Sequence, residues 1–489
     1  MFCENCGNQL NDEDLFCTKC GQAIREEVAE VKVEKLQEQK VKAESGSVEK
    51  SDRNHVKSEE KKSGVSGKVL IAVVIIIIVL ACLKSDENGK KNVAKQNNMN
   101  TPANNIINSN ALNYNESGNV SSPKKVQPNL NEYDDDLVIK FECEEFERCV
   151  RRKIGKEDGE ITYKDVKEIK YWWGNTRIKS SKELKYFSSL ETLELNTEEE
   201  DLSHICDLKT LDTLHIYIDN EEINLNTIVE MSNLFTLAIS SNTGRNVDLT
   251  PLAGMSSLKC LSLDNVVLED SSFLKTMYQL EFLYIHNVNV DYDVIADLSN
   301  LREITIEYED NSVDISAIGK SPSIELVRVR SGEAYEYSFL GNMKQLKSLY
   351  LYPIRTSLGL ESLENLVSFN AEIIGNEFNS QFLANNKKLM YASIRGNCEL
   401  QPLSKLEIYN LDIECNELLT DLSIFKESKI HDLSIMECHN LHDISCVEEI
   451  QKLSKFEMHF CDGVEQEDID AMKEIVEKKA QERRAQLSN

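Results

Sequence analysis

From Val166 to Met458 the apolar residues fall into one recurring phrase: an apolar position, two variable ones, an apolar position, one variable, an apolar position. Clear copies are Leu258–Leu261–Leu263, Leu280–Leu283–Ile285, Leu301–Ile304–Ile306 and Leu346–Leu349–Leu351. About fourteen copies begin at Val166, Leu190, Leu211, Leu234, Leu258, Leu280, Leu301, Ile324, Leu346, Leu366, Leu389, Ile408, Ile430 and Leu453. The last two apolar positions of each copy stand two apart and share one face of a short strand. One strand cannot bury that face alone. Stacked copies bury it in one continuous core, so the pattern predicts a solenoid with a parallel sheet.

The segment between strands also repeats. Pro251-Leu252-Ala253-Gly254-Met255-Ser256-Ser257-Leu258 returns loosely as Phe339 to Leu346 and as Phe382 to Leu389. These stretches are too short for full helices, and helical or 3₁₀ turns are expected on the convex side. Before the repeats, Ile139, Phe146, Val150 and Ile154 recur at helical spacing, predicting a helix that covers the first coil. Cys143 and Cys149 on it are not placed for a bridge. After the repeats, Ile469, Met472, Ile475 and Val476 predict a second capping helix.

On these repeats the chain resembles the internalin-like class of bacterial leucine-rich-repeat proteins, over residues 155 to 460 or so. The fold expected is an α/β leucine-rich-repeat solenoid of about 14 repeats with helical caps, over residues 136–489. The resemblance implies an Asn ladder after each strand. Here Asn stands in that place only at positions such as Asn397 and Asn416; Val266, Val288, Cys438 and Cys461 fill it elsewhere. Side-chain bonds between neighbouring turns are therefore expected to be missing in the middle, with less regular loops.

Strand geometry assigns the concave face. The residues before, between and after the two inward positions point outward. The early copies present Thr192, Glu194 and Asn196, then Thr213, His215 and Tyr217. The middle copies present Phe282, Tyr284, His286, then Glu303, Thr305, Glu307, then Leu326, Arg328, Arg330, then Ser348, Tyr350, Tyr352; Tyr391 and Arg395 follow. Phe282, Tyr284, His286, Arg328, Arg330, Tyr350, Tyr352, Tyr391 and Arg395 form the candidate partner-binding set, since Tyr and Arg dominate interface hot spots. The competing expectation is that strands simply favour aromatics and that Arg328 and Arg330 pair with Glu303 and Glu307.

The formal charge of the 489 residues is −29, and it is uneven. Residues 136–489 hold 37 basic and 64 acidic side chains and carry −27 of it. Such a body repels phosphate backbones, so nucleic acid is not the expected partner.

Four of the fourteen cysteines make a motif: Cys3, Cys6, Cys17 and Cys20, two CxxC pairs ten residues apart, each followed by Gly. Four thiolates suit one tetrahedral Zn²⁺ and leave no open position, so the expected metal is structural. A unit of residues 1–23 has almost no core, and metal binding would supply its folding energy. A pair of disulfides is the alternative, disfavoured because no signal peptide precedes Cys3. The stretch resembles the short zinc ribbons at the N-termini of many bacterial membrane proteins, over residues 2–22.

Residues 24–66 read as a charged linker, with a short coiled coil as the alternative. Val69 to Leu83 are apolar and uncharged, between Lys68 and Lys84, and residues 67–84 are read as the single transmembrane helix. Flanking charge is nearly balanced and leaves orientation to the thiolates, which persist in a reducing cytosol. The expectation is a cell-membrane protein with the ribbon cytoplasmic and the repeats extracytoplasmic; a lipobox ending at Cys82 is the alternative reading. Residues 85–135, rich in Asn and Ser, read as a disordered stalk.

No phosphate loop, GxSxG elbow or HExxH occurs. Cys438, His439, His442, Cys446 and Cys461 are metal-ligand types, but Cys438 and Cys461 fall on the ladder position, where a small buried side chain is needed. The chain is expected to be no enzyme. It is read as a membrane-anchored protein whose repeat face binds a protein or cell-surface ligand. The alternative is a signalling or regulatory protein that couples an external ligand to a cytosolic partner of the ribbon.

Overall fold

The computed structural model describes residues 126–173, 177–218, 223–309 and 313–487. The cysteine motif, the charged linker, the apolar segment 67–84 and residues 85–125 lie outside them. Among the described residues no helix is long and apolar enough to cross a membrane.

The folded body begins before residue 136. The Tyr133 ring stands edge-on to Tyr163 at 5.2 Å and to Tyr186 at 5.1 Å, and Lys167 bonds Asp135. The last residues assigned to the stalk thus pack on the first coil. Helix α1 (Glu144–Ile154) has acidic residues in its first turn and basic ones in its last, matched to its dipole, and ends at Gly155 with φ 69°. Its Phe146 and Val150 are fully buried; Phe146 meets Trp172 and Phe187 in an aromatic cluster. Ile139 does not join this helix. Its N–H pairs instead with the Ile161 carbonyl, beside an antiparallel bridge from Val138 to Thr162. A one-turn helix α2 (Tyr163–Val166) follows, with Asp165 accepting from the Thr162 N–H.

Fourteen strands then pair in chain order, each parallel to the next. They are β1 (Tyr171–Trp173), β2 (Thr192–Thr197), β3 (Thr213–Ile218), β4 (Thr236–Asn246), β5 (Cys260–Val267), β6 (Phe282–His286) and β7 (Glu303–Glu307). They continue as β8 (Leu326–Tyr335), β9 (Ser348–Ile354), β10 (Ser368–Ile373), β11 (Tyr391–Arg395), β12 (Asn410–Glu414), β13 (Asp432–Met436) and β14 (Lys455–His459). The repeat pattern sets the register: Leu261 pairs with Leu283, Leu283 with Ile304, Ile304 with Val327 and Val327 with Leu349. Each is buried, so every copy donates the same rows to one core. The first copy is the exception. Trp172, not Ile169 or Tyr171, is opposite Leu193, and Val166 belongs to α2. That copy therefore starts three residues later than its apolar spacing indicated.

The return segments are mostly 3₁₀ turns, as at Thr250–Leu252, Ser338–Asn342 and Ser380–Asn385. One is a short helix, α3 (Tyr292–Ala296). An Asp caps many of these turns: Asp201, Asp248, Asp270, Asp314, Asp421 and Asp443 each accept the N–H two residues on. The far end is closed by helix α4 (Gln466–Leu487), which buries Ile469, Val476 and Ala480; Lys479 and Arg483 bond the Glu448 and Gln451 carbonyls.

The ladder differs from expectation. Val266 and Val288 are buried, yet inter-coil bonds persist one residue earlier. Asn265 Nδ2 donates to the Ser241 carbonyl at 2.9 Å, and Asn287 Oδ1 accepts the Glu309 N–H at 3.1 Å. Both asparagines have positive φ, which turns the side chain along the stack. Asn397 likewise stays near the surface and accepts the Glu417 N–H, while Cys398 takes the interior place. Asn416 behaves as expected, buried and donating to the Cys398 carbonyl. Cys438 and Cys461 fill the corresponding place, buried, with their thiols donating to the Met436 and His459 carbonyls two residues earlier. The irregularities fall at β4, β8 and β10, where the register breaks between Ser240 and Arg245, between Arg330 and Tyr335 and between Ala371 and Ile373.

Candidate functional site

Parallel pairing lines the outward residues up in rows across the sheet, with strands about 4.8 Å apart. One row runs Tyr284, Thr305, Arg328, Tyr350, Asn370, Ser393. A second runs Asp264, His286, Glu307, Arg330, Tyr352. On β2 to β5 the outward residues are buried and bond one another: His215 Nε2 meets Ser240 Oγ at 2.9 Å, and Tyr217 bonds Glu194. Thr192, Glu194, Asn196, Thr213 and His215 thus point outward but offer little surface.

The middle of the face is more open. Arg328 lies with its guanidinium carbon 4.5 Å from the centre of the Tyr350 ring. Arg330 lies 5.5 Å from that of Tyr352. Both arginines lean toward β9. Neither makes an ion pair among the described residues, so pairing with Glu303 and Glu307 on β7 is not what holds them. Glu307 instead accepts from the Tyr284 hydroxyl at 3.3 Å. Burial pushes the Glu303 carboxyl above the usual carboxylate range, against the opposing pull of Arg328. Burial also pushes the Tyr352 hydroxyl up to about 12. His286 Nδ1 stands 2.5 Å from Asp264 Oδ1, and this bond raises the imidazole pKa against the opposing effect of burial.

The nine candidate residues do not form one patch. Phe282, Tyr284 and His286 on β6 and the arginine–tyrosine pairs on β8 and β9 lie within four successive strands. Tyr284 is buried, and Phe282 is only partly exposed. Arg395, two strands beyond β9, belongs to another group: it bonds Glu414 and stands 4.0 Å from Glu437. Cys415 completes that group, donating to Glu437 at 3.1 Å, and its thiol is pushed up to about 11. Glu414, Cys415 and Glu437 converge as metal donors do, but Arg395 already bonds Glu414 and lies beside Glu437. The cysteines and histidines near residue 440 do not converge: Cys438 and Cys461 are buried in the ladder, while His439 faces Asp462 and His442 bonds the Asn440 carbonyl.

Sequence reading missed a second feature, on the residue just before several of the strands. There Glu191 meets Lys170, Lys259 meets Glu281 and Lys347 meets Glu325, and the charge alternates over Lys259, Glu281, Arg302, Glu325 and Lys347. The signal was present as charge alternation at a fixed repeat position.

Residues 2–24 match a family described as a zinc-ribbon domain. No curated protein matches the chain. Among solved structures, an internalin from Listeria monocytogenes is similar at 18% identity, over 69% of this chain and 94% of that one, with a TM-score of 0.40. Internalin C2 from the same organism is similar at 21% identity, over 52% and 94%, with a TM-score of 0.31. A leucine-rich-repeat protein from Leptospira interrogans is similar at 16% identity, over 61% and 85%, with a TM-score of 0.41.

Proposed function

We propose that the chain is a membrane-anchored, non-catalytic binding protein whose repeat face holds a protein or cell-surface ligand. The observation that carries this is the pair of arginine–tyrosine contacts on β8 and β9, with Arg330 exposed and Arg328, Tyr350 and Tyr352 half-buried in the middle of the sheet. Tyr and Arg are the side chains that dominate interface energetics, and concave solenoid faces are the usual binding surfaces. Residues 67–84 supply the membrane anchor, because an apolar run between two lysines finds its lowest free energy in a bilayer. The zinc ribbon then lies in the cytoplasm, with Cys3, Cys6, Cys17 and Cys20 around one structural Zn²⁺, and the repeats lie outside. The ribbon also favours a second reading, in which ligand binding outside is signalled to a cytosolic partner. Deleting residues 1–23 separates the two: an adhesive protein keeps its activity and a signalling one loses it.

Two experiments test the first reading. Protease added to intact cells should remove the repeats and spare the ribbon; protected repeats would reverse the orientation. With a ligand in hand, Arg328→Ala or Tyr350→Ala should weaken binding by about 1–3 kcal/mol. Ser434→Ala, half-exposed on β13, should leave it unchanged. Equal binding by all three variants would move the site off this face.

A further inference from the structure

We propose that Arg328 and Arg330 form a carboxylate clamp that takes an extended, acidic segment of a protein partner. The proposal rests on the binding-face reading above and names the chemistry of what that face holds.

Each guanidinium lies over a tyrosine ring, its carbon 4.5 Å from the centre of Tyr350 for Arg328 and 5.5 Å from that of Tyr352 for Arg330. Among the described residues their N–H groups have no hydrogen-bond or ion-pair partner. No carboxylate among the described residues pairs with either one, although Arg151 and Arg395 each hold a glutamate. The acids nearest in register are otherwise disposed. Glu307 is bonded by Tyr284, Glu303 is held toward its neutral form by burial, and Glu372 stands on β10, beyond the two tyrosines. A guanidinium fixed by a ring and open along its fork suits a carboxylate, which it binds through two parallel hydrogen bonds.

Spacing selects the shape of the partner. Arg328 and Arg330 are two apart on one strand, so their heads project from the same face about 7 Å apart. An extended peptide presents alternate side chains at the same interval. Glu or Asp at positions i and i+2 therefore meets both forks. The surrounding charge of −27 repels polyanions as a whole, which disfavours nucleic acids and favours a segment with few, well-placed carboxylates.

The test is selection from a displayed random-peptide library on the purified full-length chain, in parallel with an Arg328→Lys/Arg330→Lys variant. Lysine keeps the charge and removes the fork, and equal melting of the two chains confirms the fold. Enriched peptides should carry acidic residues two apart. Their labelled synthetic forms should bind the variant at least about tenfold more weakly, as expected for loss of charge-assisted forked bonds. Enriched peptides without that acidic pair, or equal binding to both chains, would overturn the clamp. If such peptides still lose binding to Tyr350→Ala, the binding-face reading survives; peptides indifferent to Tyr350→Ala, or no enrichment at all, would overturn both.

Discussion

At the scale of single residues, the face is organised by short cross-strand pairs. His286 illustrates how such a pair sets a titration. Its ring is bonded to Asp264, so the charged form is favoured and the folded pKa lies above the unfolded value of about 6.5. The stability that this pair contributes is complete below that unfolded value and is lost as pH rises through the folded pKa. An NMR titration should place His286 above the ordinary range, and Asp264→Asn should bring it down. A midpoint at or below the ordinary value in the parent chain would refute the pairing. The N-terminal cysteines make a second residue-scale prediction. Metal analysis of the reduced full-length chain should give one zinc per chain, and Cys3→Ser with Cys6→Ser should abolish it. A parent chain without zinc would return the motif to the disulfide alternative.

At the scale of elements, the coil is a strand, a turn with positive φ or a buried ladder residue, and a 3₁₀ return. The close stacking of these returns leaves no room for added atoms at some positions. A Cβ on Gly319 would stand 2.6 Å from the Phe339 carbonyl oxygen of the next coil. Gly319→Ala should therefore destabilise the domain by about 1–3 kcal/mol through overpacking. Gly254→Ala meets no such neighbour, but its φ of 82° makes alanine strained there as well. Chemical denaturation of both variants checks this, and an unchanged midpoint for Gly319→Ala would show that the returns can move apart. Most of the strand register was legible in the sequence, because Leu283, Ile304, Val327 and Leu349 repeat the same phrase. The first strand was not, because Val166–Ile169–Tyr171 imitates the phrase while the larger Trp172 gains more by burial beside Phe146 and Phe187. Ile139 was misplaced for a related reason: an apolar residue at helical spacing also fits an extended bridge.

At the scale of the whole repeat domain, the pH dependence of stability follows from groups that pull in opposite directions. Asp201, Asp270, Asp421 and Asp443 cap 3₁₀ turns, and their bonds to Ser203, Ser272, Ser423 and Ser445 hold their carboxyls below the ordinary range. A lowered folded pKa gives stability that is present above the unfolded value of about 4 and lost as pH falls through the folded one. His286 loses its contribution on the alkaline side, and Glu303, held up by burial, also favours mild acid. The net charge of the chain shrinks in the same direction, toward a pI near 4.8. Thermal unfolding of the repeat domain should therefore be hardest at a pH between about 4 and 6.5. A melting temperature that climbs steadily to pH 8 would contradict this.

The sequence by itself determined the repeat, its period, the inward rows and the capping helix α4, because periodic burial is a one-dimensional property that a strand cannot evade. It also determined which residues point outward, since alternation along a strand is fixed by backbone geometry. Only the tertiary structure decided what those outward residues do. Arg328 turns to Tyr350 rather than to Glu303, Arg395 is claimed by Glu414, and Tyr284 is buried. Each choice depends on the neighbour supplied by a coil some twenty residues away and on how far each side chain must desolvate to reach it. Asn265 and Asn287 likewise kept the ladder bonds one residue from their expected place. The positive φ that allows this arises where the chain must turn out of the stack, a constraint set by the neighbouring coils rather than by the repeat phrase.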